Sequence, residues 1–336
     1  MAHIIQPMQT PWQPDDWTRH LVHAVTDARD LLARLDLRAE TLDADLDPDF
    51  PMRVPLPFVQ RMRPGDPRDP LLRQVLPLRA EREEAQGYSR DPLCESGAVR
   101  ATGLIQKYAG RALLIASPAC AVHCRYCFRR HFPYEGHRQS RSFPALGEVE
   151  RDPDIHEVIL SGGDPLMLKD QPLRSLVQRL ESIPHLRRVR IHTRLPVVIP
   201  QRVTRALLDT LEARRLPIVV VLHVNHPNEI DDDLARAMRS LRETGATLLN
   251  QSVLLAGVND DADSLVALSE RLHANGALPY YLHLPDRVQG TRHFDVNETH
   301  ARTLAGALAD RLPGYLVPRL AREIPGLGAK QVLPPL

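Results

Sequence analysis

The sequence predicts an α/β fold, a partial (β/α)6 barrel preceded by a mainly helical extension. From about residue 110, short apolar runs alternate with amphipathic helical segments, the pattern of a parallel sheet with helices outside it. The first hundred residues instead contain one long helical stripe and short pieces punctuated by proline. The predicted domains are therefore an extension over residues 1–105 and a barrel with a C-terminal segment over residues 106–336.

The extension is predicted to begin with an amphipathic helix over residues 15–37, with Asp15 or Asp16 as its N-cap. Its apolar stripe consists of Trp17, Leu21, Ala24, Val25, Ala28, Leu31, Leu32 and Leu35. The proline-rich pieces that follow predict short helices and irregular structure and not a sheet.

Six apolar runs are predicted to be buried parallel strands. Between them lie amphipathic helical segments, so six strand–helix units follow one another and indicate a partial barrel instead of a closed one of eight strands. Periodicity alone leaves an open doubly wound sheet as an alternative. The runs are residues 112–116, 157–161, 189–193, 218–224, 247–255 and 279–284.

Composition excludes several classes of protein. The chain has 336 residues, 43% hydrophobic and 25% charged, with a net charge of +1, so no strong field points to nucleic acid or an anionic membrane. No apolar run is long enough to span a bilayer, and the N-terminus lacks the pattern of a signal peptide. Four cysteines are too few for a disulfide framework. These observations predict a cytoplasmic protein that binds neither nucleic acid nor membrane.

Three cysteines lie within eight residues. Cys120, Cys124 and Cys127 form C-x3-C-x2-C, and three thiolates can hold three irons of a four-iron cluster while the fourth iron binds a small molecule. A zinc site completed by His123 is an alternative, although four zinc ligands usually come from two separated pairs. A third interpretation is that the three cysteines lie close together by chance and bind no metal. Cys94 has no evident role and is expected to be a small buried residue.

Each predicted strand brings polar residues to the rim where the active sites of such barrels are built. The cysteine loop follows the first strand, and Asp286 follows the sixth. The second to fourth strands end in Ser161, Gly162, Gly163 and Asp164, in His192, Thr193 and Arg194, and in His223, Asn225 and His226, whereas Asn250, Gln251 and Ser252 lie within the fifth.

The cysteine spacing is similar to that of the radical S-adenosylmethionine (SAM) superfamily, which implies a radical SAM partial barrel. Tyr126 occupies the position that contacts adenine in that superfamily. The turn Ser161–Gly162–Gly163–Asp164 occupies the position that binds the SAM amino group. More specifically, the chain resembles the lysine 2,3-aminomutase family from about residue 100 onward. The matching segments are CAVHCRYCFRRHF, LSGGDPL, TRLPVVIPQRVT, HVNHPNEI, NQSVLLAGVND, YYLHLPD and GYLVPRLAREIPGLGAK.

The resemblance implies three cofactors: a [4Fe–4S] cluster on Cys120, Cys124 and Cys127, SAM, and pyridoxal 5'-phosphate (PLP). Enzymes of this family move an amino group between adjacent carbons by radical chemistry on PLP. An electron donor to the cluster is also implied.

Lys330 matches the lysine that binds PLP covalently. The chain offers only two other lysines: Lys107 precedes the first predicted strand, on the wrong face, and Lys169 lies in a turn before a helix. Arg111 matches the arginine at the PLP phosphate. Arg129 matches the one that contacts the substrate carboxylate, for which a guanidinium fork is suited.

Asp164, His223 and Gln251 match positions around SAM. Asp286 matches one of two acidic residues that hold the distal ammonium of lysine, and Glu323 stands where the catabolic enzymes have aspartate. Two carboxylates at the far end favour a diamino substrate, L-lysine, over glutamate.

The chain ends six residues after Lys330. In this it resembles the bacterial enzyme that makes (R)-β-lysine, which a ligase uses to modify translation elongation factor P. The alternatives are a catabolic or osmolyte-related aminomutase acting on lysine or glutamate, and a non-catalytic metal-stabilised protein that docks on the factor. The sequence leaves oligomeric state open, including a homo-oligomer.

Overall fold

One ten-stranded sheet organises the molecule. The computed structural model describes residues 17–137, 140, 142–212 and 215–336. The strands are β1 (Val99–Ala101), β2 (Leu104–Tyr108), β3 (Arg111–Ser117), β4 (Glu157–Gly162), β5 (Arg188–Thr193), β6 (Ile218–Leu222), β7 (Thr247–Val253), β8 (Leu278–His283), β9 (Arg319–Arg322) and β10 (Gln331–Val332). They lie side by side in chain order.

Neighbours from β3 to β9 are parallel. At one end β1, β2 and β3 pair antiparallel, and at the other β10 pairs antiparallel with β9. Within the described residues β1 and β10 are the two ends of the sheet and do not pair with each other. The barrel is therefore partial, as predicted.

Of the described helices, the first five precede the sheet and the other seven lie between successive parallel strands. The helices are α1 (Trp17–Val22), α2 (Ala28–Arg34), α3 (Ala39–Leu42), α4 (Leu56–Val59), α5 (Pro70–Arg73), α6 (Leu146–Arg151), α7 (Asp170–Ser182), α8 (Leu195–Val198), α9 (Arg205–Leu211), α10 (Asp232–Glu243), α11 (Ala262–Ala274) and α12 (Glu298–Arg311). Side chains cap several of the longer ones: Asp231 and Asp261 accept a backbone N–H at the starts of α10 and α11. None of the described helices is long and apolar enough to cross a membrane.

All six predicted strands are present, as β3 to β8. A seventh parallel strand, β9, and the two-residue β10 were not predicted, because four and two residues are too short for a periodicity to register. These two strands matter for the site, since the hairpin between them carries Glu323 and Lys330.

The single helix predicted over residues 15–37 is wrong. The chain forms α1 and α2 instead, and between them Val25 makes a two-hydrogen-bond bridge with Val54. Asp27 then restarts the helix by accepting the backbone N–H groups of Arg29 and Asp30. The proposed caps Asp15 and Asp16 lie outside the described residues.

The extension and the barrel share a hydrophobic core. Trp17, Phe58 and Leu71 from the extension belong to the same buried cluster as Leu114 and Val158 from the sheet. The boundary predicted at residue 105 falls inside β2, whose Leu104 and Ile105 pair with β3.

Candidate active site

A cavity of about 950 Å³ opens at the carboxyl ends of the parallel strands, at the upper end of the usual range for ligand sites. The site residues assigned from the family resemblance all line it: Arg111, Cys120, Cys124, Tyr126, Cys127, Arg129, Ser161, Gly162, Gly163, Asp164, His223, Gln251, Asp286, Glu323 and Lys330. Of the other polar residues predicted at this rim, His192, Thr193 and Arg194 line the cavity, whereas Asn225, His226, Asn250 and Ser252 do not. The topology explains this, because parallel strands end at one rim.

The three cysteines of the loop after β3 are free and half-buried. Burial, reinforced by the negative charge that neighbouring groups would carry, raises the pKa of Cys127 to about 11 and also raises the pKa of Cys120 and Cys124. A metal cluster that binds them must therefore displace protons.

Two arginines of the same loop are tied to the extension. Arg125 is fully buried and donates from Nε and Nη2 to the two oxygens of Glu81, at 2.8 and 2.5 Å. Arg130 Nη2 donates to the same carboxylate at 2.7 Å. The loop between the cysteines is thus held from outside the barrel by one buried glutamate.

Both glycines of the turn after β4 are required by close backbone contact. A Cβ on Gly162, whose φ is +121°, would lie 2.3 Å from the carbonyl oxygen of Ser117, and one on Gly163 would lie 2.4 Å from that of Ala119. Gly163 and Asp164 donate their N–H groups to these same two oxygens, at 2.8 Å each. The turn therefore packs directly on the chain that leads into Cys120.

The Asp164 carboxylate already has protein partners on both oxygens. It accepts the hydroxyl of Thr193 and the backbone N–H groups of Leu166, Arg194 and Leu195 at 2.7–3.0 Å. Burial nevertheless raises its pKa. Asp164 thus joins the turn after β4 to the end of β5, and a direct contact with a ligand ammonium stays a prediction.

The Tyr126 ring is positioned by neighbours on two sides. Asn225 Nδ2 donates to its hydroxyl at 2.7 Å, and Phe294 packs edge-on at 6.1 Å. The Arg194 guanidinium lies 5.5 Å from the ring centroid. Arg194 Nη2 donates to Gln74 and Glu229, but its Nε and Nη1 are buried without a hydrogen-bond partner in the described chain.

Three histidines of the cavity wall are held neutral. Burial, with help from nearby cations, lowers the pKa of His223 to about 3 and lowers the pKa of His192 and His283 well below the usual value. His223 Nε2 lies 2.7 Å from Gln251 Nε2, so the neutral ring accepts the amide N–H.

Lys330 lies against Glu323 because the hairpin between β9 and β10 turns the chain back on itself. Lys330 Nζ donates to Glu323 Oε2 at 2.7 Å, and Lys107 Nζ donates to Oε1 at 2.5 Å. Burial acts to raise the pKa of Glu323, but the two ammonium groups outweigh it and hold the pKa at about 2. Glu323 is therefore an anion at any physiological pH.

Asp286 behaves differently, although it faces the same cavity. Burial and the charge of Glu323 raise its pKa to about 7, against the opposing effect of Lys330 and Lys107. A carboxyl of this kind gains most from an added cation, which would ionise it.

Arg129 is paired with Glu95, a residue that the sequence analysis missed. Its Nε and Nη2 donate to the two Glu95 oxygens at 2.7 and 2.8 Å, and its Nη1 donates to Ser161 Oγ at 3.2 Å. Glu95 follows Cys94 and begins a four-residue 3-10 helix (Glu95–Ala98), too short for a periodicity to mark it as buried. Cys94 itself is exposed, so the expectation that it is buried is wrong.

The prediction that Lys107 lies on the face away from the site is also wrong. It lies on β2, which pairs antiparallel with β3, and alternation along the strand puts Ile105 and Lys107 on the cavity side. Its ammonium reaches both Glu95, at 3.2 Å, and Glu323.

The side chains fit the three implied cofactors. Three thiols on one wall suit an iron–sulfur cluster, in which each thiolate binds a different iron. The described residues hold no group of three or more His, Cys, Asp or Glu arranged around a single metal ion, so the chelating zinc geometry is not preformed.

Unpartnered buried nitrogens indicate where anionic ligand groups fit. Arg111 Nε has no partner in the described chain, and its guanidinium lies 4.7 Å from the Tyr108 ring, which suits a phosphate. Arg194 Nε and Nη1, beside Tyr126, suit another acceptor.

Comparison with known proteins shows the family. The profile of the Radical SAM superfamily matches residues 114–267. L-lysine 2,3-aminomutase of Escherichia coli (strain K12) is 48% identical over 99% of this chain and 98% of its own. The chain belongs to the L-lysine 2,3-aminomutase family. It is therefore an isomerase of the radical SAM type.

Other members of the family are similar over different shares of their length. The enzyme of Haemophilus influenzae is 48% identical over 94% of both chains. That of Clostridium subterminale is 34% identical over 83% of this chain and 67% of its own. Among solved structures, Streptococcus suis SuiB aligns with 65% of this chain at 14% identity and a TM-score of 0.49, too low to bear on function.

Family membership settles the cofactors: a [4Fe–4S] cluster and SAM, as in radical SAM proteins, and PLP. The roles assigned to individual cavity residues stay predictions.

Proposed function

We propose that this protein converts L-lysine to (R)-β-lysine by moving the α-amino group to the neighbouring carbon. The observation that carries the proposal is that the Lys330 amine, two carboxylates and three cysteines share one cavity. A lysine nucleophile for PLP and a cysteine triplet for the cluster are the two features that this reaction needs together.

The two carboxylates favour lysine over glutamate. Asp286 and Glu323 interact across the cavity, since the charge of Glu323 raises the pKa of Asp286. A second ammonium is attracted by this pair, whereas the distal carboxylate of glutamate would be repelled. The relatives named L-lysine 2,3-aminomutase support lysine as the substrate.

When bound, the cluster and SAM supply the radical and PLP stabilises it on the substrate. The protein residues bind and orient. Arg111 holds the phosphate of PLP, Arg129 holds the substrate carboxylate, and Asp286 with Glu323 holds its distal ammonium. Tyr126, His223 and Gln251 lie around SAM, and the buried walls exclude water.

We further propose that the β-lysine is passed to a ligase that modifies translation elongation factor P. The sequence resemblance supports this role. All four cysteines are free, as a reducing compartment requires, and we place the protein in the cytoplasm.

The test is anaerobic turnover with L-lysine, PLP, SAM and a reductant, with the products resolved by chiral chromatography and mass detection. (R)-β-lysine is expected. The S isomer would favour a catabolic role instead, and 5'-deoxyadenosine without β-lysine would overturn the substrate.

The matched variants are Lys330→Ala and Lys169→Ala, since Lys169 is exposed and outside the cavity. Lys330→Ala is expected to lose β-lysine formation and the visible absorbance of bound PLP while keeping its iron content, because only PLP depends on that amine. Lys169→Ala should keep all three. Formation of β-lysine by Lys330→Ala would refute the assignment.

A further inference from the structure

Five charged side chains form one continuous series of ion pairs along the cavity wall. From one end, Arg129 pairs with Glu95 at 2.7 Å, Glu95 with Lys107 at 3.2 Å, Lys107 with Glu323 at 2.5 Å, and Glu323 with Lys330 at 2.7 Å. The partners are separated by 7 to 216 residues in sequence, so the complete series exists only in the folded chain.

Four of the five members are largely shielded from water, and Lys330 is 26% exposed. The side chains of Glu95 and Arg129 are 3% and 6% exposed, and those of Glu323 and Lys107 are 13% and 19% exposed. Pairs in such surroundings are strong and are costly to break, because each would leave a partner buried and uncompensated. The series therefore holds its members at fixed positions.

The series links the two residues assigned to the ends of the proposed substrate, Arg129 and Glu323. Glu95 accepts from Nε and Nη2 of Arg129, and Nη1 donates to the protein as well, so the second N–H of Nη2 is left for a substrate carboxylate. Lys107 occupies Oε1 of Glu323 and Lys330 occupies Oε2. Because the proposed function assigns the Lys330 amine to PLP, its engagement there would open Oε2 to an incoming ammonium. Between Arg129 and Glu323 the series runs only through Glu95 and Lys107, which hold the two residues in a fixed relation.

We propose that Lys107, acting with Glu95, is the positioning residue that selects the length of the diamino acid. The inference rests on the proposed function, since it assumes that Arg129 and Glu323 bind the two ends of one substrate. Through its two ion pairs, Lys107 holds Glu323 in a fixed place relative to Arg129. Its own ammonium is shared by two carboxylates and is not available to a ligand.

The test compares L-lysine with L-ornithine, which is one methylene shorter. Affinities are measured by calorimetry on the anaerobic holoenzyme without reductant, so that no turnover occurs. One methylene is worth about 10- to 200-fold in a fitted site, and the unaltered protein is expected to prefer lysine by a ratio in this range. Lys107→Met keeps the length of the side chain but removes the ammonium group that joins Glu323 to Glu95, and the ratio is expected to fall by about tenfold or more.

Two further variants separate positioning from a general structural effect. Lys169→Met removes an exposed lysine outside the cavity and should leave the ratio unchanged. Lys107→Arg keeps the charge and can pair with both carboxylates, so it should restore most of the ratio, whether or not Lys107→Met folds well. Thermal melting and iron content establish that each variant is folded and loaded.

An unchanged ratio in Lys107→Met, or equal weakening of both ligands, would overturn the inference alone. A ratio in Lys107→Arg as low as in Lys107→Met would do the same. If the unaltered holoenzyme binds neither diamino acid, the proposed function fails and the inference fails with it.

Discussion

At the scale of the residue, the two carboxylates near Lys330 differ because their neighbours differ. Glu323 has an ammonium group on each oxygen, and its pKa is held at about 2. The carboxylate of Asp286 makes no hydrogen bond or ion pair within the described part of the chain, and burial raises its pKa to about 7. Of these two carboxylates, only Asp286 changes its charge within the physiological range of pH.

This difference predicts a pH-dependent affinity for lysine. A raised pKa means that Asp286 is neutral below pH 7 and charged above it, so the attraction for the distal ammonium grows as the pH rises from 6 to 8. The dissociation constant for lysine should fall over this interval and then level off. Norleucine, which lacks the distal ammonium, should not show the same fall.

Asp286→Asn is the matched variant. It removes the titrating group and should abolish the difference in pH dependence between lysine and norleucine. It should also weaken lysine binding at pH 8 by about tenfold to a hundredfold. Equal lysine affinity in the variant at pH 8 would contradict the proposed pocket.

At the scale of the element, the cysteine loop owes its shape to contacts from outside the barrel. Glu81 caps a turn of the extension by accepting the Leu78 N–H at 3.2 Å, and it also accepts from Arg125 and Arg130. The Arg125 guanidinium stacks 4.8 Å from the Phe50 ring. One carboxylate therefore fixes two arginines that flank Cys127.

Glu81→Gln is expected to lower the free energy of unfolding by about 3 kcal/mol, because it leaves two buried guanidinium groups without a counterion. Urea unfolding followed by far-UV circular dichroism measures this change. The loosened loop should also lose iron faster to a chelator than the unaltered protein does. Glu83→Gln, at an exposed position two residues on, is the control, and equal stability of the two variants would refute the role given to Glu81.

At the scale of the whole molecule, the extension is part of the active-site framework. Gln74, fully buried in the extension, accepts from Arg194 Nη2 and Asn225 Nδ2, both at 2.9 Å, and donates to Glu229 at 3.1 Å. Its carbonyl accepts the Arg125 N–H. Because Asn225 in turn holds the Tyr126 hydroxyl, the extension reaches the predicted SAM site through two side chains.

The shared core and this network predict that the extension and the barrel unfold together. The chain has two tryptophans, Trp12 and Trp17, both in the extension, whereas most of the sheet lies in the barrel. Tryptophan fluorescence and far-UV circular dichroism should therefore give coincident transitions in urea. A fluorescence transition at lower urea concentration would show that residues 1–105 form a separate unit.

The sequence by itself determined the six strands β3 to β8, the family and the place of the site. Six strands were long enough for their apolar runs to be recognised, and residues after their ends were predicted to meet because parallel strands share a rim. The cysteine spacing and the family positions of Lys330, Arg111 and Asp286 were recognised from the sequence alone, because each lies within a local motif.

Only the tertiary structure decided how the charges are paired. Lys107 joins Glu323 across 216 residues and Glu95 joins Arg129 across 34, and no local pattern encodes such pairings. The prediction from sequence put Lys107 on the face away from the cavity, because β2 and β9 are short and packing decides which strands they pair with. Likewise, Asp286 and Glu323 are both acidic residues in sequence, and only burial and neighbouring ammonium groups separate their pKa values.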